Sequence, residues 1–160
     1  MEWTVSTAQS LAEIDREISL KDPANFSPAE YEIVRRVVLA TADLDYWHLL
    51  RFSAQAMPAG AAALVARTPV VVDGPMLQAG LSAVLENTFG NPIYCSLEIP
   101  TRSRNGESQA AWGMRAFAER YPQGLFVVGQ EASVLTVLME LLEAEKIAPT
   151  LVIGAPAGIV

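Results

Sequence analysis

The sequence predicts an α/β fold, a three-layer parallel sheet with helices on both faces, preceded by an N-terminal helical segment. Three observations support it: early helical apolar spacing, four short and nearly continuous apolar runs after it, and helical stretches between those runs. Continuous apolar strands are typical of a parallel sheet that is covered on both faces, with right-handed crossovers. With 160 residues, 51% of them hydrophobic, we expect one domain over residues 1–160.

The N-terminal segment is predicted to be two helices, a short break and a further helix. Leu11, Ile14 and Ile18 recur at helical spacing within residues 7–19, and a linker over residues 21–26 follows. Residues 27–30 (SPAE) combine a capping box with proline at the first helical position, so a helix begins there. Its predicted inner face is Val34, Val37, Val38 and Thr41. Helical spacing resumes at Tyr46 after a break near Asp43.

The predicted strands are residues 70–72, 93–97, 125–128 and 150–153. Each ends in residues suited to a binding site: Asp73-Gly74-Pro75, Glu98 with Pro100, Gly129-Gln130-Glu131, and residues 154–158. Ligands of open α/β sheets bind outside the carboxyl ends of the strands, so we expect these segments to share one rim. Glycine and proline also end strands for purely structural reasons, so each segment alone leaves both interpretations open.

Charge and motifs exclude several functional classes. The net charge is −7 and the basic residues are scattered, which argues against nucleic acid as a partner. The chain has no G-x-G-x-x-G after its first strand, no Walker lysine and no G-x-S-x-G, so dinucleotide, nucleoside triphosphate and serine hydrolase functions lose their main support.

Cysteine use and hydropathy predict a reduced protein outside the membrane. Cys95 is the only cysteine, which excludes an internal disulfide and, with one histidine, a zinc cluster; we expect it to be a buried core thiol. The N-terminus lacks a signal-peptide pattern, and no apolar run reaches the roughly 18 residues of a membrane span. We therefore expect a cytoplasmic protein without membrane or metal partners.

His48 is the only histidine and follows Trp47 on a predicted amphipathic helix. Such a residue is more often packed or solvated than catalytic. Acid–base roles remain open for a set of carboxylates, although these often cap helices or carry solvated charge. They are Asp43, Asp45, Asp73, Glu98 and Glu131.

Five stretches carry a family resemblance over almost the whole chain: residues 27–53, 68–80, 88–98, 120–142 and 149–160. They resemble the precorrin-8X methylmutases, or precorrin isomerases, of cobalamin biosynthesis, and residues 27–53 and 88–97 are most similar to cyanobacterial members. The resemblance implies a homodimeric, cofactor-free isomerase that moves a methyl group between neighbouring carbons of a corrinoid, giving hydrogenobyrinate or its cobalt form. Such a shift needs a proton donor and a pocket that holds the macrocycle.

The chain departs from the family where the proton donor is expected. The family pattern Arg-x-Ile-His-Ala-Thr-x-Asp corresponds here to residues 36–43 (RVVLATAD), so Leu39 stands at the position of the catalytic histidine. Leucine cannot donate a proton. His48 lies nine positions further on, and in a continuous helix that spacing rotates it about 180° away from Leu39. Only the break near Asp43 would allow it to fold back.

Three further departures affect the implied site. Gly106-Glu107-Ser108-Gln109 replaces Gly-x-Thr-Arg, which removes a guanidinium suited to the ligand's carboxylates. Residues 129–135 (GQEASVL) replace Gly-Asn-Ala-Pro-Thr-Ala-Leu and add a negative charge. The sequence stops at residue 160, where the family continues through a glycine-rich and basic region, so we expect a domain without that extension.

The resemblance implies a substrate site, and we assign no catalytic residue in it. Its positions are Arg36, Leu39, Thr41, Asp73, Met76, Ser108, Gln109, Gly129, Gln130 and Gly154. Asp73 is the best retained polar candidate, either as a ligand contact or as a cap of the following helix. A pocket lined by Leu39, Met76 and Met114 would suit an apolar macrocycle face, although methionines are more often core residues.

Two functions remain open. The first is a precorrin-8X methylmutase-like protein with impaired or lost catalysis; residual turnover would need another acid, such as Asp43 or a water held by Thr41. The second is a non-catalytic paralogue that acts as a tetrapyrrole-binding or dimeric interaction protein. The missing proton donor favours loss of turnover, since general acid catalysis contributes about 10²- to 10⁴-fold in rate.

Overall fold

The computed structural model describes residues 4–21, 26–100, 102 and 106–155. These residues form two compact units, one up to Met57 and one from Pro58 onward. Two such units can still unfold as one cooperative domain, so the single domain over residues 1–160 stays a prediction.

Three helices form the first unit: α1 (Val5–Lys21), α2 (Pro28–Thr41) and α3 (Tyr46–Leu49). The apolar stripe of α1 is confirmed, because Leu11 and Ile18 are both 3% exposed. The predicted capping box is also present: the Ser27 hydroxyl accepts from the Glu30 N–H, and the Glu30 carboxylate accepts from the Ser27 N–H at 2.7 Å. Of the predicted linker, residues 22–25 lie outside the described part of the chain.

Polar contacts join α1 to α2. The Tyr31 hydroxyl donates to Asp15 Oδ1 at 2.8 Å, and Arg35 Nη1 donates to Asp15 Oδ2 at 3.0 Å. Burial raises the pKa of Tyr31 to about 12, and the hydrogen bond and negative charge of Asp15 add to this. At neutral pH the Tyr31 hydroxyl is therefore protonated and donates a hydrogen bond that links α2 to α1.

The predicted break after α2 is confirmed, but one assignment next to it is wrong. Ala42 ends the helix in the left-handed conformation (φ 55°), and the Asp45 N–H then donates to Asp43 Oδ1 in a turn. Val34 and Val38 are buried as expected, whereas Thr41 is exposed and its hydroxyl donates to the Val37 carbonyl at 2.9 Å. Threonine at a helix end can satisfy its hydroxyl locally, so it has no need of the core.

The second unit carries the sheet. Its strands are β1 (Val70–Val72), β2 (Ile93–Cys95), β3 (Leu125–Val128) and β4 (Leu151–Gly154). Its helices are α4 (Ala56–Val65), whose first two residues belong to the first unit, α5 (Pro75–Glu86), α6 (Gln109–Arg120) and α7 (Ala132–Glu143), with a short 3-10 helix at Ser96–Glu98. The strands are all parallel, in the order β2-β1-β3-β4, which confirms the α/β prediction.

The second strand is two residues shorter than predicted. Ser96 and Leu97 leave it for the 3-10 helix, because Glu98 turns back and accepts from the Cys95 N–H at 3.3 Å. Cys95 itself is buried, as predicted, and burial raises the pKa of its thiol.

Two hydrophobic clusters lie on opposite faces of the sheet. On one face Val71 and Phe126 pack with α6 and α7 residues such as Met114 and Leu138. On the other, Val70, Val72, Cys95 and Leu125 pack with Ala63 of α4 and Leu85 of α5. Successive strand residues thus point to opposite clusters, which confirms the three-layer arrangement.

This topology places a switch point between β1 and β3. From β1 the chain passes to β2 on one side, and β3 lies on the other side of β1. Open α/β sheets bind ligands at the carboxyl edge of such a point. The helices after β1, β2 and β3 therefore begin at this edge. None of the helices in the described ranges is long and apolar enough to cross a membrane.

Candidate functional site

The carboxylate of Asp73 lies at the switch point, directly after β1. The residue is fully buried, and its two oxygens accept hydrogen bonds from three backbone N–H groups of the loop before α7. The distances are 3.1 Å from Gly129, 2.8 Å from Gln130 and 3.0 Å from Glu131. Charge-assisted hydrogen bonds of this kind, near the positive end of a helix, stabilise a buried carboxylate.

Asp73 thereby orders the loop that follows β3. Glu131 is the N-cap residue of α7 but makes no side-chain cap, so the orphan N–H groups of this loop are satisfied from the neighbouring strand. The following helix, α5, has Gly74 as its N-cap and no side-chain cap. Of the two roles considered for Asp73, capping of the following helix is therefore not observed. Its carboxylate is directed at the β3 loop.

Glycines let the two loops at the switch point approach each other. A Cβ placed on Gly74 would lie 1.9 Å from Gln130 Oε1, so the Gln130 side chain occupies the space that a larger residue would need. On Gly129 a Cβ would meet Leu77 at 3.1 Å. The predicted site positions Asp73, Gly129 and Gln130 are thus brought together, and Gly74 joins them.

Met76 projects from the first turn of α5 at the same edge, with 80% exposure. Two residues further along α5, Gln78 donates from Nε2 to Glu98 Oε1 at 2.9 Å. Met114, proposed above as a pocket residue, is instead fully buried on α6. That assignment was wrong, because an apolar residue at helical spacing packs equally well in a core.

Ser108 and Gln109 start α6 at the carboxyl edge. The Ser108 side chain caps the helix by accepting from the Ala111 N–H at 3.1 Å, and Gln109 is the first helical residue. The neighbouring Glu107 does not stand as a free negative charge, because Arg115 Nη2 binds its Oε1 at 2.7 Å. Arg115 therefore offsets part of the negative charge that Glu107 brings to this segment, because it also pairs with Glu140.

Gly154 ends β4 and is paired with Val128 in the sheet register. A Cβ on Gly154 would meet the Leu135 side chain of α7 at 3.3 Å. It therefore belongs to the same carboxyl edge, as predicted, although its surroundings among the described residues are apolar.

The remaining predicted positions, Arg36, Leu39 and Thr41, lie on α2 in the first unit. Leu39 is half-buried, and Arg36 is engaged by Glu32, with Nε and Oε1 2.8 Å apart. His48 lies on α3, with its side chain 53% exposed and its Nε2 3.8 Å from Asp45 Oδ1. Because α2 ends before His48, the 180° rotation expected for a continuous helix does not apply.

The carboxyl edge combines helix N-termini with carboxylates that are already hydrogen-bonded. Three helices, α5, α6 and α7, begin there, and helix N-termini attract anionic groups. Its carboxylates are engaged: Glu98 by Gln78 and the Cys95 N–H, Glu131 by the Ser133 hydroxyl. Within the described residues, no group of three His, Cys, Asp or Glu side chains could hold a metal ion.

Sequence reasoning missed two polar arrangements near this edge. Arg115 bridges Glu107 and Glu140, at 2.7 Å from each. Ser96 is fully buried and donates from its hydroxyl to the Asp73 carbonyl at 3.2 Å. A serine directly after a buried strand was the available signal for the second; the first joins residues 25 positions apart and leaves no local pattern.

Known proteins resemble this chain along nearly its whole length. A family model described as precorrin-8X methylmutase matches residues 7–160. Cobalt-precorrin-8 methylmutase of Synechocystis sp. is 33% identical, with 95% of this chain and 75% of that protein covered. The protein of the same name from Leptospira interrogans is 30% identical, with 95% and 70% covered. A crystal structure of precorrin-8x methyl mutase from Thermus thermophilus matches with a TM-score of 0.83 and 31% identity, covering 98% of this chain and 77% of that one.

Proposed function

Because this chain belongs to the precorrin-8X methylmutase family, isomerases of cobalamin biosynthesis, we propose that it binds a corrinoid but catalyses the methyl shift poorly or not at all. The observation that supports the proposal is the identity of Leu39, a hydrocarbon side chain at the position where the family resemblance implies a catalytic histidine. Without an ionisable group there, protonation of the macrocycle must rely on water or a remote acid.

The carboxyl edge of the sheet supports the binding half of the proposal. Met76 offers an exposed apolar contact for a macrocycle face, while the N-termini of α5 and α6 favour the carboxylates at its periphery. The backbone around Gly129 and Gln130 is ordered by Asp73, so this part of the site is formed before a ligand arrives. Ser108, Gln109 and Gly154 complete the proposed substrate positions at this edge. Arg36, Leu39 and Thr41 are the proposed substrate positions of the first unit.

The proposed loss of catalysis is supported by the hydrogen bonds of two polar residues that follow Leu39 in the sequence. Thr41 donates its hydroxyl to the Val37 carbonyl and accepts from the Asp43 N–H at 3.3 Å, and Asp43 in turn accepts from the Asp45 N–H. Both residues are thus engaged in ending α2. We expect neither Thr41 nor Asp43 to replace the missing imidazole efficiently.

An activity comparison tests this proposal. The Thermus thermophilus enzyme serves as the reference, and precorrin-8X as the substrate. We expect the present protein to be slower by about 10²- to 10⁴-fold, and the double change Leu39→His with Gln109→Arg to recover part of that loss. Leu39→Gln with Gln109→Arg is the matched control, because glutamine is polar but cannot donate a titrating proton. If the protein without these substitutions turned over precorrin-8X at the rate of the reference enzyme, the proposal would be contradicted.

Binding is measured separately from turnover. Hydrogenobyrinate should change the visible absorbance saturably on titration with the protein, and Met76→Glu should weaken this binding through charge repulsion and lost apolar contact. If no saturable change occurs at high concentration, both the enzyme and the tetrapyrrole-binding functions fail.

The second candidate is a non-catalytic paralogue that works as a homodimer. Exposed apolar side chains on α7 and on the edge strand β4 support it: Met139, Leu142, Val152 and Ile153. Large apolar side chains that stay exposed on a helix and on an edge strand are typical of surfaces that associate with another protein. We further expect, from the family resemblance, that the protein uses no cofactor and resides in the cytoplasm.

A further inference from the structure

Met76 carries the most exposed thioether among the methionines that the structure describes. Its side chain is 80% exposed, compared with 59% for Met139 on α7, while Met114 on α6 is fully buried. Met57 at the start of α4 is half-buried. An oxidant in solution can reach an exposed thioether and convert it to a sulfoxide. Exposure therefore selects Met76 and Met139 as the sites open to this modification.

The two exposed methionines lie in different surroundings. Met76 is the second residue of α5 at the carboxyl edge of the sheet, whereas Met139 lies in the second half of α7. The N-cap of α5 is Gly74, which supplies no side-chain acceptor to the first turn. Helical side chains lean toward the N-terminus of their helix, so the Met76 side chain lies on the side of these uncapped N–H groups. An oxygen added at Met76 would therefore lie near the positive end of a helix.

Oxidation of this sulfur needs a peroxide, of which hydrogen peroxide is the simplest. A sulfur lone pair attacks one oxygen of the peroxide, and a sulfur–oxygen bond forms as the oxygen–oxygen bond breaks. The attacked oxygen loses its proton, and the other oxygen leaves as water. Sulfur loses two electrons, which the peroxide gains. The product, methionine sulfoxide, is polar, and methionine sulfoxide reductases return it to the thioether.

We propose that Met76 is a reversible oxidation site that controls ligand binding at the carboxyl edge of the sheet. The thioether offers an apolar contact, whereas the sulfoxide places a strong acceptor there, and an apolar macrocycle face provides no donor for it. The positive end of the α5 dipole stabilises the sulfoxide oxygen in the free protein. The consequence for binding rests on the proposed function, in which this edge binds a corrinoid.

The fold should tolerate oxidation of Met76. This side chain belongs to neither of the two hydrophobic clusters that cover the sheet, whereas Met114 is a member of one of them. A sulfoxide at Met114 would disrupt the core, but a sulfoxide at Met76 stays in contact with solvent. Modification of Met76 therefore acts on binding and leaves the stability of the protein unchanged.

Limited treatment of the whole protein with hydrogen peroxide tests the site. Peptide mass spectrometry measures the oxidised fraction at each methionine, and a visible absorbance titration measures the affinity for hydrogenobyrinate. We expect Met76 to be oxidised before Met57 and Met114, and the dissociation constant to rise by about tenfold. A methionine sulfoxide reductase should restore the affinity. The midpoint of urea unfolding should be the same before and after treatment.

Two leucine substitutions separate the effect of Met76 from that of the other exposed methionine. Leucine keeps an apolar side chain of similar volume but cannot be oxidised. Met76→Leu should keep its affinity after peroxide treatment, whereas Met139→Leu, the matched control, should lose affinity as the unchanged protein does. An equal loss in Met76→Leu would assign the effect to another residue. Full affinity in protein with oxidised Met76 would overturn the control of binding.

Failure of this proposal is distinguishable from failure of the proposed function. If Met76 stayed reduced while Met139 became oxidised, Met76 would not be the oxidation site, whatever the ligand. If hydrogenobyrinate did not bind the untreated protein, the proposed function and the control of binding would both fail. The mass spectra would then still decide whether Met76 is the oxidation site.

Discussion

Individual side chains carry two different kinds of information in this protein. Leu39 can be interpreted from its identity alone, since no environment gives a hydrocarbon a transferable proton. Asp73 cannot, because a carboxylate after a strand suits a ligand, a helix cap or a loop. Its partners, the N–H groups of Gly129, Gln130 and Glu131, lie 56–58 positions along the chain. Tertiary contact alone identifies its role as a loop-ordering residue.

Replacing Asp73 by asparagine should destabilise the protein by about 2–4 kcal/mol, because one carboxylate oxygen becomes an NH₂ group that faces backbone donors. Urea unfolding followed by circular dichroism measures the change. Asp43→Asn is the matched control: Asp43 is exposed and accepts one hydrogen bond, which an amide oxygen can also accept. Equal losses in the two variants would mean that the three-donor arrangement contributes no special stability.

The packing of a helix in this protein depends on how closely its backbone approaches its neighbours, as well as on the helix propensity of its residues. The helix α6 contains Gly113, which lies directly against the 3-10 helix: a Cβ there would be 1.8 Å from the Ser96 carbonyl oxygen. In contrast, Gly80 of α5 has nothing within 4 Å of such a Cβ. Glycine in a helix interior costs about 0.5–1 kcal/mol of stability relative to alanine. This cost is offset at Gly113, where the close contact requires glycine, and is not offset at Gly80.

Two alanine substitutions should therefore act in opposite directions. Gly113→Ala should destabilise by more than about 3 kcal/mol, because the obstructing atom belongs to the backbone. Gly80→Ala should stabilise by about 0.5–1 kcal/mol. Chemical denaturation of both variants checks the pair, and a tolerated Gly113→Ala would show that α6 can move away from Ser96 without cost.

The pairing of α1 with α2 should weaken at alkaline pH. The pKa of Tyr31 is raised from 10.0 to about 12 in the fold, so its contribution is complete below pH 10 and is lost as the pH rises to about 12. The free energy of unfolding should thus fall over this interval, and less steeply in Tyr31→Phe. Tyr46→Phe, a change of an exposed tyrosine on α3, is the control. Parallel pH profiles for all three proteins would exclude this role of Tyr31.

At the scale of the whole molecule, β4 is one of the two edge strands of the sheet that the structure describes, and it exposes apolar side chains. Within the described residues β4 pairs with β3 alone, and Val152 and Ile153 point to opposite faces while each remains at least 36% exposed. Unpaired apolar edges promote association. This supports the proposed homodimer and indicates which surface would form it.

Ile153→Lys should therefore shift the proposed dimer toward monomer, with the dissociation constant raised by about tenfold or more, because burying an unpaired ammonium is costly. Sedimentation velocity over a range of protein concentrations measures the equilibrium. Ala79→Lys places the same charge on an exposed position of α5 and should have little effect. A monomer at all concentrations, or a dimer insensitive to Ile153→Lys, would remove β4 from the interface.

The sequence by itself determined the α/β class, the parallel sheet and the start of α2, because apolar periodicity and end effects are local. It did not predict α4, whose Ala-rich sequence lacks a clear helical stripe, or the shortening of β2 by Glu98. It placed Asp73, Gly129 and Gln130 at one edge, since parallel strands must end together. Only the tertiary structure decided that Asp73 orders the β3 loop and that Met114 lies in the core while Met76 stays exposed. Those outcomes depend on contacts between residues that are far apart in the sequence, and no local sequence pattern predicts such contacts.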